Sequence, residues 1–317
     1  MAVDSYAPLH QVVAWLTPHD AALIELTGDD RLDWLQGQAT NDLRGLEPGE
    51  SKAFCLCEPT GQLLAICRVW VLRDRLLIET EAACAPAVLR RAEDMVVTED
   101  VAARDLTPYL RVVSLIGPKS TAIIQQLAGV HPGDAIEVAL KDVPMIRLLS
   151  PRAGGEGWDV WWPADAPNPL ATRLAHVPAI SHEAFEAARL EAGIPRFGLD
   201  WDSKVLPPEL GPAFEAEHVS YNKGCYTGQE VLMRMHSRGH TNRTWRGLIA
   251  DGPIKPGDPV RHPAREAAGR ITSVARSPRL GWIAGAMLRN EAAGVGDTVE
   301  VISGEMSVKA RVGAFPL

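Results

Sequence analysis

The chain has 317 residues, 46% hydrophobic and 23% charged, the make-up of a globular protein large enough for two or three cores. Its net charge of −8 argues against broad, non-specific nucleic-acid binding. Five cysteines, no basic-then-apolar leader over residues 1–16 and no apolar run of membrane-spanning length argue against a disulfide framework and for a reducing cytoplasm.

The first segment runs from about residue 15 to 104. Residues 22–26 alternate weakly, and Gly28-Asp29-Asp30 opens a short helix carrying Leu32 and Leu35. Residues 52–58 and 63–72 read as paired strands around the turn Glu58-Pro59-Thr60-Gly61, with 75–80 a third strand. Ala85, Val88, Leu89, Ala92 and Met95 recur at helical spacing. A second segment, 105–178, repeats that order roughly. It offers a strand at 110–116, a helix at 119–127 with Ile123, Ile124 and Leu127 inward, strands at 136–139, 145–149 and 158–162, and a short helix at 167–174. Both segments are α+β, with antiparallel strands and helices packed on them.

A helix over 181–193 places Ala184, Phe185, Ala187, Ala188 and Ala192 on one side, and His182, Glu183, Glu186 and Arg189 on the other. Glu191 breaks the pattern by projecting near the middle of the apolar face. A carboxylate there is costly unless it is paired. Two readings stay open: an ion pair with a nearby arginine, or hydrogen bonds to a ligand in an apolar pocket. Gly193, with Pro195 two residues on, ends the helix. Residues 196–212 read as loop. Beyond Trp245, short apolar runs separated by Gly, Pro and Asp predict a small β-barrel or sandwich of five or six strands.

The most informative stretch is Lys223-Gly224-Cys225-Tyr226-Thr227-Gly228-Gln229-Glu230. Thr227 with Glu230 reads as a capping box, followed by the apolar Val231, Leu232, Met233 and Met235. Cys225 then lies just before a helix N-terminus and beside a cation, a setting that favours the thiolate. The bland alternative is an inert buried cysteine beside an ordinary helix start. From Lys223 to Arg246 the basic residues Lys223, Arg234, Arg238, Arg243 and Arg246 face one acid, Glu230, with His236 and His240 interleaved. This patch suggests an anionic ligand, or else a solvated basic face. With Tyr221, Tyr226 and Trp245 as stacking surfaces, it also allows an RNA-binding reading.

Several motifs fail. Cys55 and Cys57 share a strand face, but no second ligand pair completes a zinc or iron–sulfur set, so no metal site is expected. No HExxH, GxGxxG after a strand, Walker A or GxSxG occurs.

These residues resemble the folate-binding YgfZ family, whose signature is K-G-C-[FY]-x-G-Q-E followed by R-x-x-x-R-G-x-x-x-R. Here it reads KGCYTGQE, then Arg234, Arg238-Gly239 and Arg243. The blocks LTGDDRLDWLQGQATND (26–42), RLEAGIPRFG (189–198) and LPPEL (206–210) are similar to blocks shared with the aminomethyltransferase T-proteins of glycine cleavage. The resemblance implies a three-domain, ring-like α+β arrangement with a central folate site and a terminal β-barrel. Its units would be a discontinuous folate-binding domain of 1–104 plus 179–244, a second domain of 105–178, and a barrel of 245–317. It also implies a role in iron–sulfur cluster assembly or repair, with a link to tRNA thio-modification.

In that reading tetrahydrofolate or a derivative is the cofactor, and iron–sulfur client or assembly proteins are the partners. Cys225 is the functional thiol, with Lys223 supporting it. Glu191 holds the pterin, while Tyr226, Gln229, Glu230, Arg234, Arg238 and Arg243 complete the binding set, the arginines serving the glutamate tail. Where T-proteins carry an Asp-Asp pair, this chain has Leu64-Ala65, which cannot serve as a base. That departure favours an accessory protein over a tetrahydrofolate-dependent aminomethyltransferase, which stands as the alternative. A cytoplasmic monomer with no membrane contact is expected.

Overall fold

A computed structural model of the chain describes residues 6–128, 133–140, 142–239 and 241–317, with the side chains of residues 127, 128 and 238 outside that set. The chain opens with α1 (Ala7–Gln11) and β1 (Ala14–Leu16). Then come β2 (Ala21–Thr27), α2 (Arg31–Gln38), β3 (Ser51–Cys57), β4 (Leu63–Val71), β5 (Leu76–Glu81), α3 (Ala85–Met95) and β6 (Ala102–Asp105). The strands form one antiparallel sheet in the order β3-β4-β5-β2-β6. The predicted turn joins β3 to β4, closed by the Gly61 amide donating to the Glu58 carbonyl at 2.8 Å.

The second unit holds β7 (Leu110–Ile116), α4 (Ser120–Ala128), β8 (Ala135–Leu140), β9 (Val143–Leu149), β10 (Gly157–Pro163) and α5 (Ala171–Leu174). Its sheet runs β1-β7-β10-β9-β8. A strand from far up the chain thus joins it, with Ala14 opposite Ile116. The two sheets pack face to face. Leu23, Trp70 and Leu77 of the first meet Val112, Leu148 and Trp161 of the second, all buried. The opposite face of β2, with Ala22, Ile24 and Leu26, lies in the main core. Burial on both faces explains the weak alternation of residues 22–26, since neither set of side chains meets water.

The remaining helices are α6 (His182–Ala192), α7 (Pro212–His218) and α8 (Gln229–Arg238). The Ser181 hydroxyl caps α6 by accepting the Ala184 amide at 3.2 Å, and Gly193 ends it at φ +75°. The side of α6 that reads as polar does not face water throughout, because Arg189 is only 2% exposed. Arg189 donates to Asp200 at 2.8 Å and to Ser273 at 3.0 Å, which pins the helix to the barrel. The barrel comprises β11 (Arg243–Ala250), β12 (Pro259–His262), β13 (Arg265–Ser277), β14 (Gly281–Arg289), β15 (Thr298–Ser303) and β16 (Met306–Gly313). It closes in the order β11-β14-β13-β12-β15-β16 around Leu248, Val260, Ile271, Ala286 and Val301, leaving no free edge. Among the described residues no helix is long and apolar enough to cross a membrane.

Candidate functional site

The octapeptide does not start its helix as the spacing suggests. The N-cap of α8 is Gly228, in the left-handed region at φ +87°, and no side chain caps the helix. The Thr227–Glu230 box is absent because Glu230 turns outward to Arg234, 2.7 Å away. Gly228 is needed for another reason. A Cβ there would stand 2.6 Å from the Glu58 carbonyl oxygen and 3.1 Å from the Cys57 Cβ, so this loop rests directly on the β3–β4 turn.

Lys223 anchors the other side. Its ammonium is buried and donates to the carbonyls of Gln36, Ala39 and Asn41 at 2.7, 2.6 and 2.8 Å, lying 5.1 Å from the centre of the Tyr226 ring. Burial pulls its pKa down to about 8. The three carbonyls oppose that pull, since only an ammonium offers three donors at once. Between these anchors Cys225 is exposed, whereas Cys55, Cys57, Cys67 and Cys84 are all buried. Tyr226 is buried too, beside Cys57 and Cys55, and its hydroxyl finds no hydrogen-bond partner among the described residues. Burial pushes its pKa above the ordinary phenol range.

The other predicted residues scatter. Gln229 is half-buried at the start of α8. Arg234 and Glu230 form an exposed pair, and such pairs contribute little. Arg243 grips both Glu209 oxygens, at 2.8 and 2.9 Å, tying the 207–210 turn to the barrel. The Arg238 side chain and His240 lie outside the described residues. Glu191 accepts the Tyr6 hydroxyl at 2.7 and 2.6 Å and Arg279 at 3.0 Å. With Lys223 buried and Arg243 engaged, the basic run is no continuous surface. Trp245 is 1% exposed and bonded to Thr272, so it offers no face for stacking a base.

A second feature was not foreseen. Where the two sheets, α6 and the barrel meet, two adjoining cavities of about 180 and 450 Å³ share Ile66, Arg68, Pro151, Ile194, Pro195 and His218 in their walls. Taken together, though not the smaller one alone, they have the volume of a small-molecule site. The smaller cavity also has Ala53 and Phe185 as apolar wall, and the larger one reaches Trp245, Arg246 and Phe315 of the barrel. Three wall carboxylates each hold an arginine: Asp20 holds Arg196 at 2.8 Å, Glu217 holds Arg68 at 2.7 Å, and Glu79 holds Arg152. Glu81 differs. Its carboxylate accepts only the Phe197 amide, at 2.8 and 3.1 Å, with no cation in ion-pair contact among the described residues. Burial pushes its pKa up to about 7. The usable signal was Glu79 and Glu81 two apart at the end of a strand that opens with Leu76, Leu77 and Ile78. Neither cavity wall includes Cys225, Lys223 or Glu191. Among the described residues no cluster of three or more His, Cys, Asp or Glu is placed to hold a metal.

Comparison with known proteins places the fold. The GCVT N-terminal domain model matches residues 13–216, and the glycine cleavage T-protein C-terminal barrel domain model matches residues 243–317. The chain is 25% identical over 318 residues to the aminomethyltransferase of Bacillus subtilis (strain 168), covering 92% of this chain and 84% of that one. It is 24% identical over 242 residues to the tRNA-modifying protein YgfZ of Vibrio vulnificus, covering 75% and 69%. The crystal structure of glycine cleavage system aminomethyltransferase T from Bartonella henselae shares the fold, with a TM-score of 0.88, 19% identity and coverage of 99% and 89%. The chain belongs to the glycine cleavage T-protein family, by both its N-terminal domain and its C-terminal barrel.

Proposed function

We propose that this protein is a folate-binding accessory factor that supports iron–sulfur cluster assembly or repair, and through it tRNA thio-modification. Cys225 is its working thiol, and it acts as a cytoplasmic monomer. The observation that carries the reading is the contrast among the cysteines. Four are buried, and burial pushes Cys57 and Cys84 up to about 12, a range in which a thiol is inert at neutral pH. Cys225 alone stands exposed, on a loop fixed by Lys223 on one side and Gly228 on the other. A partner protein or a cluster can reach it there.

The paired cavities fit tetrahydrofolate or a derivative. Apolar Ile66, Phe185 and Ile194 suit a flat ring, Glu81 suits ring N–H donors, and Arg246 is placed for an anionic tail. Bound folate would supply a one-carbon carrier, while the chain's own residues bind and orient it. The test replaces Cys225 by Ala. The variant is expected to fold as the wild type while support of a cluster-dependent enzyme in cells is lost. Unchanged support would sink the reading.

A second reading, a tetrahydrofolate-dependent aminomethyltransferase, draws on Glu81. A cavity carboxyl titrating near neutrality can exchange a proton with an amine nitrogen, which Leu64 and Ala65 cannot do. Methylene transfer from an aminomethylated carrier protein, abolished in Glu81→Gln but kept in Cys225→Ala, would establish it.

A further inference from the structure

We infer that Glu81, rather than Glu191, is the carboxylate that receives the amino-pyrimidine edge of the bound folate. The inference rests on the folate reading above and names the recognition residue within it. Glu191 is already satisfied. Its two oxygens accept the Tyr6 hydroxyl and one Arg279 nitrogen, and its side chain is 5% exposed. To meet a ligand it would have to release both partners.

Glu81 has capacity to spare. An ionised carboxylate offers about four acceptor positions, and among the described residues a single N–H, that of Phe197, bridges its two oxygens. The neighbouring Thr80 hydroxyl does not compete, because it donates to the Ile66 carbonyl at 2.9 Å. The cavity's other carboxylates are taken by Arg196, Arg152 and Arg68. Glu81 is therefore the wall carboxylate that no cation holds among the described residues. Two parallel N–H donors on one flat ring edge, a ring amide and an exocyclic amine, are the natural complement of a carboxylate, and here they would take over both oxygens from a single bridging N–H, that of Phe197. Ile66 and Phe185 line the same cavity and suit the ring faces.

The electrostatics agree. Burial and Asp20 raise Glu81, while the Phe197 amide, Arg196 and Arg189 hold it down; Glu79, Arg152 and Cys84 complete the charged and titratable surroundings. Donors arriving from a ligand would favour the charged form, so binding near neutral pH should release protons.

The experiment is calorimetric titration of tetrahydrofolate into wild type, Glu81→Gln and Glu191→Gln, repeated with pterin and with lumazine, which lacks the exocyclic amine. Wild type is expected to bind tetrahydrofolate and to prefer pterin over lumazine. Glu81→Gln should lose affinity by about tenfold or more and lose that preference. Glu191→Gln should keep its affinity within about twofold, below the change expected for one charged hydrogen bond. Equal affinity of Glu81→Gln and wild type would overturn the assignment. So would a wild type that binds pterin and lumazine alike, a result that needs no variant to fold. Absence of tetrahydrofolate binding to wild type would overturn the folate reading itself, and the assignment with it.

Discussion

The Nζ of Lys223 lies 2.6 Å from the carbonyl oxygen of Ala39. The carbonyls of Gln36 and Asn41 complete the cradle, so this one side chain closes the C-terminal end of α2 and roots the Cys225 loop to it. A cation suits a helix C-terminus, and no water replaces it cheaply in a buried site. Lys223→Met should leave three carbonyls without a donor and cost about 2–4 kcal/mol of stability. Urea unfolding measures this. A cost under about 0.5 kcal/mol would show that the cradle contributes little.

The two glycines that flank Cys225 in the signature have different standing. Gly228 has φ +87° and its Cβ position is blocked by the Glu58 carbonyl, whereas a Cβ on Gly224 would meet nothing within 4 Å. Gly228→Ala should therefore destabilise by about 1–3 kcal/mol, with strain and clash acting together. Gly224→Ala should stay within about 0.5 kcal/mol of wild type. Thermal melts of the pair separate the two roles, and equal effects would refute the difference.

Much of the fold was legible, for reasons that particular residues show. The β3–β4 hairpin carried its turn in Glu58–Gly61, the cap and stop of α6 sat at Ser181 and Gly193, and the barrel announced itself through short apolar runs. The three-residue β1 did not, because a strand that short has no period to read. Nor did α7, whose Pro-rich entry resembles loop. In the site, the Cys225 segment was visible because its residues are consecutive. The cavity was not, since Ile66, Glu81, Pro151, Ile194 and Trp245 come from five separate stretches. The charge on a helix face was also misleading at Arg189, because periodicity separates two faces without saying what covers each.

Arg189 and Asp200 illustrate that last point and carry a prediction. Both are 2% exposed, 2.8 Å apart, and their free positions are filled by Ser273 and Thr272 of the barrel and by Glu186. Removing Asp200 leaves the buried Arg189 with Glu186 alone to balance it and takes the acceptor from the Thr272 and Ser273 hydroxyls. Asp200→Ala should cost about 3–5 kcal/mol and loosen the joint between α6 and the barrel. A guanidinium unfolding midpoint unchanged from wild type would contradict this.

Glu81 ties stability to pH, and the sign follows from its surroundings. Its ordinary value of 4.5 applies to the unfolded chain, and burial pushes the folded value up to about 7. Well below pH 4.5 both states hold the proton, and the folded state bears no buried charge. Between 4.5 and 7 only the folded state keeps the proton, so deprotonation progressively favours unfolding. The stability linked to Glu81 is thus complete at low pH and lost as pH rises through about 7. Glutamine keeps an acceptor for the Phe197 amide and carries no charge at any pH. The stability of Glu81→Gln relative to wild type should therefore grow between pH 5 and pH 8, by about 1–3 kcal/mol. Denaturant unfolding at both pH values reads it directly. A difference that stays flat would mean that the cavity already solvates the carboxylate. A bound ligand that supplies N–H donors should shrink the difference, because it gives the charged form the partners that the protein alone withholds.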